Sequence, residues 1–230
     1  MKNPALPQQE ATWNVTTGCT KISAGCTHCR AEKMAESLKA NGLHKYRNGF
    51  RLTLHQQSLQ IPYNWKKPRL VFVNPMSDLF HEAIPLDYIQ DVFRVMNDNP
   101  QHSFQILTKR AGRLAACAHK LHWGENISIG VTIEAQEYAW RAEALKKAGA
   151  KHRFLSVEPM VGEISNISLK HIDWVTAGDV AGPEALPAED AWVQNLKASC
   201  QQQGTAFFYK QRHTPAQTKP APIIDMARLA

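Results

Sequence analysis

Three of the five cysteines fall within eleven positions, at Cys19, Cys26 and Cys29. Six residues separate the first two and two separate the last pair, so one loop and the first turn of a helix can aim three thiols at one point. Thiolates in that spacing, in a chain without a disulfide framework, are ligands for a metal or an inorganic cluster. Gly18 and Gly25 each precede a cysteine, where the lack of a Cβ lets the backbone turn tightly. Three thiolates are one short of a structural zinc site, which takes four protein ligands; His28, His44 or Cys117 would have to complete it. The other chemistry is a cubane iron–sulfur cluster held by three cysteines, which leaves one iron open to a further ligand. His81-Glu82 resembles a fragment of a zinc-binding helix but lacks the second histidine at the required spacing.

Around this loop the chain alternates. Arg30 to Ala40 is rich in helix formers and is followed by Asn41-Gly42, a helix stop. Thr12 to Thr16 reads as a short strand feeding the cysteines. Residues 43–69 form a long irregular insertion with His44, Tyr46, Phe50, His55, Tyr63 and Trp65. Its aromatic and basic mixture suits base stacking or a lid as well as it suits packing. From Leu70 onward, a continuous apolar run of strand length at 70–73 is followed by strand-like stretches at 104–107, 127–133, 153–157, 174–177 and 206–209. Helical patterns lie between several of them, at 85–99, 109–121, 135–148 and 188–203. Strand alternating with helix predicts an α/β fold with a parallel sheet, here a partial (β/α) barrel of six to seven strands with the cysteine loop after the first strand.

In a parallel barrel, chemistry collects where the strands end. Read to their ends, the strands deliver Asn74, Ser77 and Asp78, then Thr108 and Lys109, Thr132 and Glu134, Ser156 and Glu158, Thr176 and Asp179, and Lys210. Any one of these suits a helix cap. Six strands in succession with polar ends predict a pocket. Cys117 and Cys200 fall within helical patterns and read as buried packing.

The Cys-x6-Cys-x2-Cys motif early in an alternating chain resembles the radical S-adenosylmethionine superfamily. Within it, the blocks Trp13-Asn14 to Thr17-Gly18-Cys19, Val73-Asn74-Pro75-Met76-Ser77-Asp78-Leu79-Phe80, Leu107-Thr108-Lys109-Arg110, Ser156-Val157-Glu158-Pro159-Met160 and Phe207-Phe208-Tyr209-Lys210-Gln211 resemble a phage-associated branch. The first gap is longer than the commoner three residues, and the usual Gly-Gly-Glu after the second strand is missing. The resemblance implies that Cys19, Cys26 and Cys29 hold a [4Fe-4S] cluster whose open iron binds S-adenosylmethionine. An external one-electron donor would then yield a 5′-deoxyadenosyl radical. Asn74, Ser77, Asp78, Thr108, Thr132 and Glu134 are the implied cofactor contacts, and Lys109, Glu158 and Lys210 the candidates for catalysis. Two other readings stand beside it: a zinc-stabilised nucleic-acid-binding protein, and a degenerate barrel acting as a partner subunit.

The 230 residues suffice for a single domain, with an arm at 1–11 and a proline-rich tail at 212–230. Hydrophobic residues at 43% and charged residues at 20% exclude a disordered chain. No apolar run approaches the roughly 20 residues that cross a bilayer, and Met1 to Pro4 do not begin a signal peptide, so a cytoplasmic location is expected. A net charge of +7 leans towards an anionic substrate, a nucleic acid or nucleotide.

Overall fold

The computed structural model describes residues 11–178 and 188–210. Residues 1–10 of the expected arm, Asp179 and the expected tail lie outside the described residues. Seven strands form one sheet: β1 (Ala11–Trp13), β4 (Leu70–Val73), β5 (Ser103–Thr108), β6 (Ile127–Thr132), β7 (His152–Val157), β8 (Trp174–Gly178) and β9 (Ala206–Lys210), side by side in that order. Every neighbouring pair is parallel. The short β2 (Thr16–Thr17) and β3 (Thr53–Leu54) pair antiparallel to each other. Parallel neighbours need a crossover. These are α1 (Arg30–Ala40), α2 (Leu86–Asp98), α3 (Ala111–Cys117), α4 (Trp140–Leu145) and α5 (Asp190–Gln202). The result is the expected open (β/α) barrel, with β1 and β9 at its two edges.

The apolar runs form strands because both faces of the sheet are covered, and all six residues of β6 are buried. α2 turns Tyr88, Ile89, Val92, Phe93, Val95 and Met96 onto the sheet. The β7–β8 connection has no helix; Met160, Ile164, Ile167, Leu169 and Ile172 fill the corresponding part of the core from an irregular chain.

Three expectations need correction. The strand expected at 12–16 breaks at Asn14, because the buried Asn74 amide accepts hydrogen bonds from Val15 N (2.9 Å) and Thr16 N (3.1 Å) and draws the chain off the sheet. The helix expected at 109–121 starts at Ala111 and ends in a 3-10 turn at Ala118–Lys120, since Lys109 and Arg110 turn inward to buried carboxylates. The helix expected at 135–148 is reduced to α4 behind a 3-10 turn at Gln136–Tyr138. The 43–69 insertion spends most of its aromatics on packing. Tyr46 is buried with Ala35 and Met76, and Trp65 meets His102 edge-on at 5.3 Å. Tyr63, 45% exposed, donates to Asp98 at 2.7 Å. Among the described residues no helix is long and apolar enough to cross a membrane.

Candidate cluster and cofactor site at the barrel mouth

The cysteine loop leaves β1 and is strapped across the ends of β4, β5 and β6. Its first strap is β4's own continuation. Asn74, at φ +56°, holds Val15 and Thr16 through its Oδ1 and donates from Nδ2 to Thr16 Oγ1 at 2.8 Å. Ser77 Oγ donates to Gly18 O at 2.6 Å, and Gly18 N donates to Met76 O at 2.9 Å. Gly18 sits at φ +81° with the backbone of Phe50 and Arg51 where a Cβ would stand, so glycine is required there twice over. Asn74 and Ser77, expected among the cofactor contacts, thus have their side chains engaged on the loop backbone.

The second strap is a buried polar chain. Asp78 Oδ1 accepts from Thr108 Oγ1 (2.7 Å) and Phe80 N (3.0 Å), and its Oδ2 accepts from Lys109 N (3.1 Å) and Arg110 Nη1 (3.2 Å). Arg110 reaches onward to Glu82 Oε2 at 2.7 Å, to Thr20 and to Cys19 Sγ at 3.4 Å. Burial tends to strip its proton, but Glu82, Asp78 and Cys19 more than offset that and hold the guanidinium charged. Burial likewise pushes the Cys19 thiol up to about 11, against the pull of Arg110.

The third strap centres on Glu134, fully buried two residues past the end of β6. Its Oε1 accepts from Lys109 Nζ at 2.8 Å and from Ser23 Oγ, and its Oε2 accepts from Arg141 Nη1 at 2.7 Å. Burial alone would raise this carboxyl, yet Lys109, Ser23 and Arg141 together hold it below the usual carboxylate range. Gly25 passes so near that a Cβ would lie 2.8 Å from Glu134 Cγ and 3.0 Å from Pro159 Cδ. Its lack of a side chain therefore serves the approach of the loop to Glu134. Thr132 is buried at the strand end, where its carbonyl accepts from Arg141 at 2.7 Å.

Across the mouth, Lys210 Nζ donates to Glu158 Oε1 and Oε2 at 2.7 and 2.9 Å, with Ser156 Oγ 3.4 Å from the same Oε1. The expected site residues thus gather as an Asp78–Thr108–Lys109–Glu134 chain on one side and a Glu158–Lys210 pair on the other. Cys26 Sγ lies 3.6 Å from Ser23 Oγ, and Cys29 stands at the N-terminal boundary of α1 without a side-chain capping bond. All three loop cysteines are free and partly exposed. Among the described residues no three His, Cys, Asp or Glu side chains are already gathered for a metal ion. Cys117 is buried in α3 with its Sγ on Leu114 O, and the His44 ring lies against Arg47.

Sequence reading assigned no role to Ser23, Glu82, Arg110 and Arg141. Arg110 was signalled by standing next to Lys109 at a strand end; Arg141 had no signal, because only the fold brings it to Glu134. Between the cysteine loop and the starts of α3 and α4 opens a cleft of about 510 Å³, lined by Ile22, Lys109, Arg110, Arg113, Tyr138 and Trp140 among others. Trp140 is 52% exposed there, and Arg141 stacks on the Tyr138 ring at 4.3 Å.

The class defined by these features is an open parallel (β/α) barrel with a three-cysteine loop at the C-terminal mouth of its strands. A similar fold occurs in a mutant of spore photoproduct lyase with bound AdoMet and dinucleoside spore photoproduct, at a TM-score of 0.50 over 86% of this chain and 75% of that one. A second structure of that lyase, complexed with dinucleoside spore photoproduct, gives 0.49. Identity is 10% in both, and the likeness to the first is one of fold. No curated protein matches the chain. Residues 5–222 match the family described as "Protein of unknown function (DUF5131)", and the chain belongs to that family.

Proposed function

We propose that this protein is a radical S-adenosylmethionine enzyme acting on a nucleic acid or nucleotide. The observation that carries the proposal is the loop itself: three free thiols on one segment at the mouth of an open parallel barrel, strapped to buried polar groups at three successive strand ends. The donor set fits a [4Fe-4S] cluster, because three soft thiolates on one loop suit an inorganic centre with one open iron, whereas a closed zinc site takes four protein ligands. When bound, such a cluster supplies the electron that cleaves S-adenosylmethionine to a radical able to abstract hydrogen from substrate.

The protein's own part is binding and exclusion of water. Cys19, Cys26 and Cys29 would hold the cluster. Asn74 and Ser77 set the path of the loop. Asp78, Thr108, Thr132 and Glu134 supply a preorganised polar wall for the cofactor, with their charges already balanced by Arg110, Lys109 and Arg141. Glu158 and Lys210, paired with each other and both about one-quarter exposed, are the groups we assign to meeting a substrate or moving a proton. The substrate class is supported by the +7 charge and by the cleft, where the exposed Trp140 offers a face on which a base can stack. The dinucleoside in the fold neighbour agrees with it.

The test is anaerobic purification with iron and sulfide analysis and an optical spectrum, with Cys26→Ala alongside. About four irons per chain and brown absorption that the variant lacks are expected. Stoichiometric zinc in a colourless protein would sink the proposal. For the substrate class, Trp140→Ala should weaken single-stranded oligonucleotide binding by roughly 5- to 150-fold, the worth of about one stacked base. Unchanged affinity would remove the cleft from the reading.

A further inference from the structure

We infer that Arg110 is a positioning residue for Cys19 that also sets the reduction potential of the cluster, by donating an N–H to the sulfur of this one ligand. The inference rests on the reading of Cys19 as a cluster ligand. Arg110 is 4% exposed, and every nitrogen of its guanidinium is engaged. Nε donates to Glu82 Oε2 at 2.7 Å; Nη1 faces both Asp78 Oδ2 at 3.2 Å and Cys19 Sγ at 3.4 Å; Nη2 donates to Thr20 O and Oγ1 at 3.1 and 2.9 Å. The fork is held from beneath as well, since Asp78 is itself bound by Thr108, by Phe80 N and by Lys109 N. Thr20 is held from its far side by His81 Nε2 at 3.0 Å, and the His81 Nδ1 accepts from Ala83 N. A buried cation is therefore locked against the first thiol of the loop. Among the described residues no buried guanidinium meets the other two sulfurs: Cys26 Sγ lies 3.6 Å from the Ser23 hydroxyl, Cys29 stands at the start of α1, and the half-exposed Lys21 acts on both only through space.

A positive charge and an N–H directed at a thiolate sulfur withdraw electron density from the cluster and stabilise its reduced, more negative state. The contact should therefore raise the potential and make the first electron easier to accept. Lysine keeps the charge but lacks the fork that joins Asp78, Glu82, Thr20 and Cys19 at once. Glutamine removes the charge.

The experiment is an EPR-monitored redox titration of reconstituted wild type, Arg110→Lys and Arg110→Gln, without cofactor or substrate, with iron and sulfide counted in each. Expected is a potential that falls in Arg110→Lys and falls further in Arg110→Gln, or iron lost from a variant whose fold, judged by circular dichroism, is intact. Pulsed EPR of the reduced wild-type protein labelled with guanidino-¹⁵N arginine supplies a readout that needs no variant: a coupled arginine nitrogen is expected. Variants that keep both their iron and the wild-type potential, or a reduced cluster without a coupled arginine nitrogen, would overturn the inference while leaving the cluster standing. A wild-type protein that takes up no iron fails at the earlier step, and both readings fall together.

Discussion

Glu134→Gln tests whether the third strap holds the fold as its geometry implies. The native carboxylate has no solvent exposure and faces two cations, Lys109 at 2.8 Å and Arg141 at 2.7 Å, whose side chains are 21% and 3% exposed. Removing its charge leaves Lys109 with water but leaves Arg141 buried with the Thr132 carbonyl and the Tyr138 ring as company. Breaking a buried ion pair by removing one partner costs about 3–5 kcal/mol. Glutamine's one carbonyl oxygen still accepts from Arg141, and its NH2, in the place of Oε1, donates to Ser23 Oγ, so the lower end, about 3 kcal/mol, is expected for Glu134→Gln and the upper end for Glu134→Ala. At about 3 kcal/mol per molar of urea for a chain of this size, the midpoint for Glu134→Gln should fall by about 1 M at pH 7. The pH dependence carries a second check. Because the native carboxyl is held below its ordinary 4.5, its stabilisation is fully present above that pH and is lost as the pH falls through the lower native value. The gap between wild type and Glu134→Gln should therefore shrink below pH 4.5. A gap under about 0.5 kcal/mol at pH 7, within the usual scatter of surface substitutions, would refute the reasoning; so would a gap that does not narrow in acid.

Asn74→Ala should lose about 3 kcal/mol in urea unfolding, since it leaves the buried amides of Val15 and Thr16 without their acceptor and places alanine at a positive φ. Asn74→Gly isolates the hydrogen-bond part, and a glycine variant as stable as wild type would mean that water replaces the amide. For His55, burial beside the cations Lys45 and Arg47 holds the ring neutral down to about 4. Its hydrogen bond to Thr17 Oγ1, 2.8 Å long, fits the neutral ring. The unfolded chain takes up this proton near 6.5, so thermal stability should decline as pH falls from 6.5 towards 4. NMR titration of the ring should give a midpoint near 4, and one near 6.5 would contradict the burial argument.

The repeating architecture was legible in the chain because its causes are local. Runs such as Leu70 to Val73 are apolar without alternation, as expected of a strand covered on both faces. α1 begins directly after Cys29 and stops at Asn41-Gly42, with Gly42 at φ +75°, as helix propensity and a left-handed stop dictate. The cysteine loop and the polar strand ends were legible for the same reason: spacing along one segment and position at the end of an apolar run are both one-dimensional facts.

Only the tertiary structure decided what those polar groups do. Ser23 meets Glu134 across 111 positions, Arg110 meets Cys19 across 91, and Asn74 meets Thr16 across 58. No periodicity encodes such a pairing; it follows from buried charges and amides taking the partners that the parallel order of strands brings within reach. The same demand shortened the helices. Lys109 and Arg110 would have extended α3 by propensity, but the carboxylates of Asp78 and Glu134, shut away from water, gain more from a cation than a helix gains from two further residues. The sequence by itself thus determined the barrel and the thiol loop at its mouth, and the fold decided which buried charges hold that loop, because desolvation acts on neighbours in space.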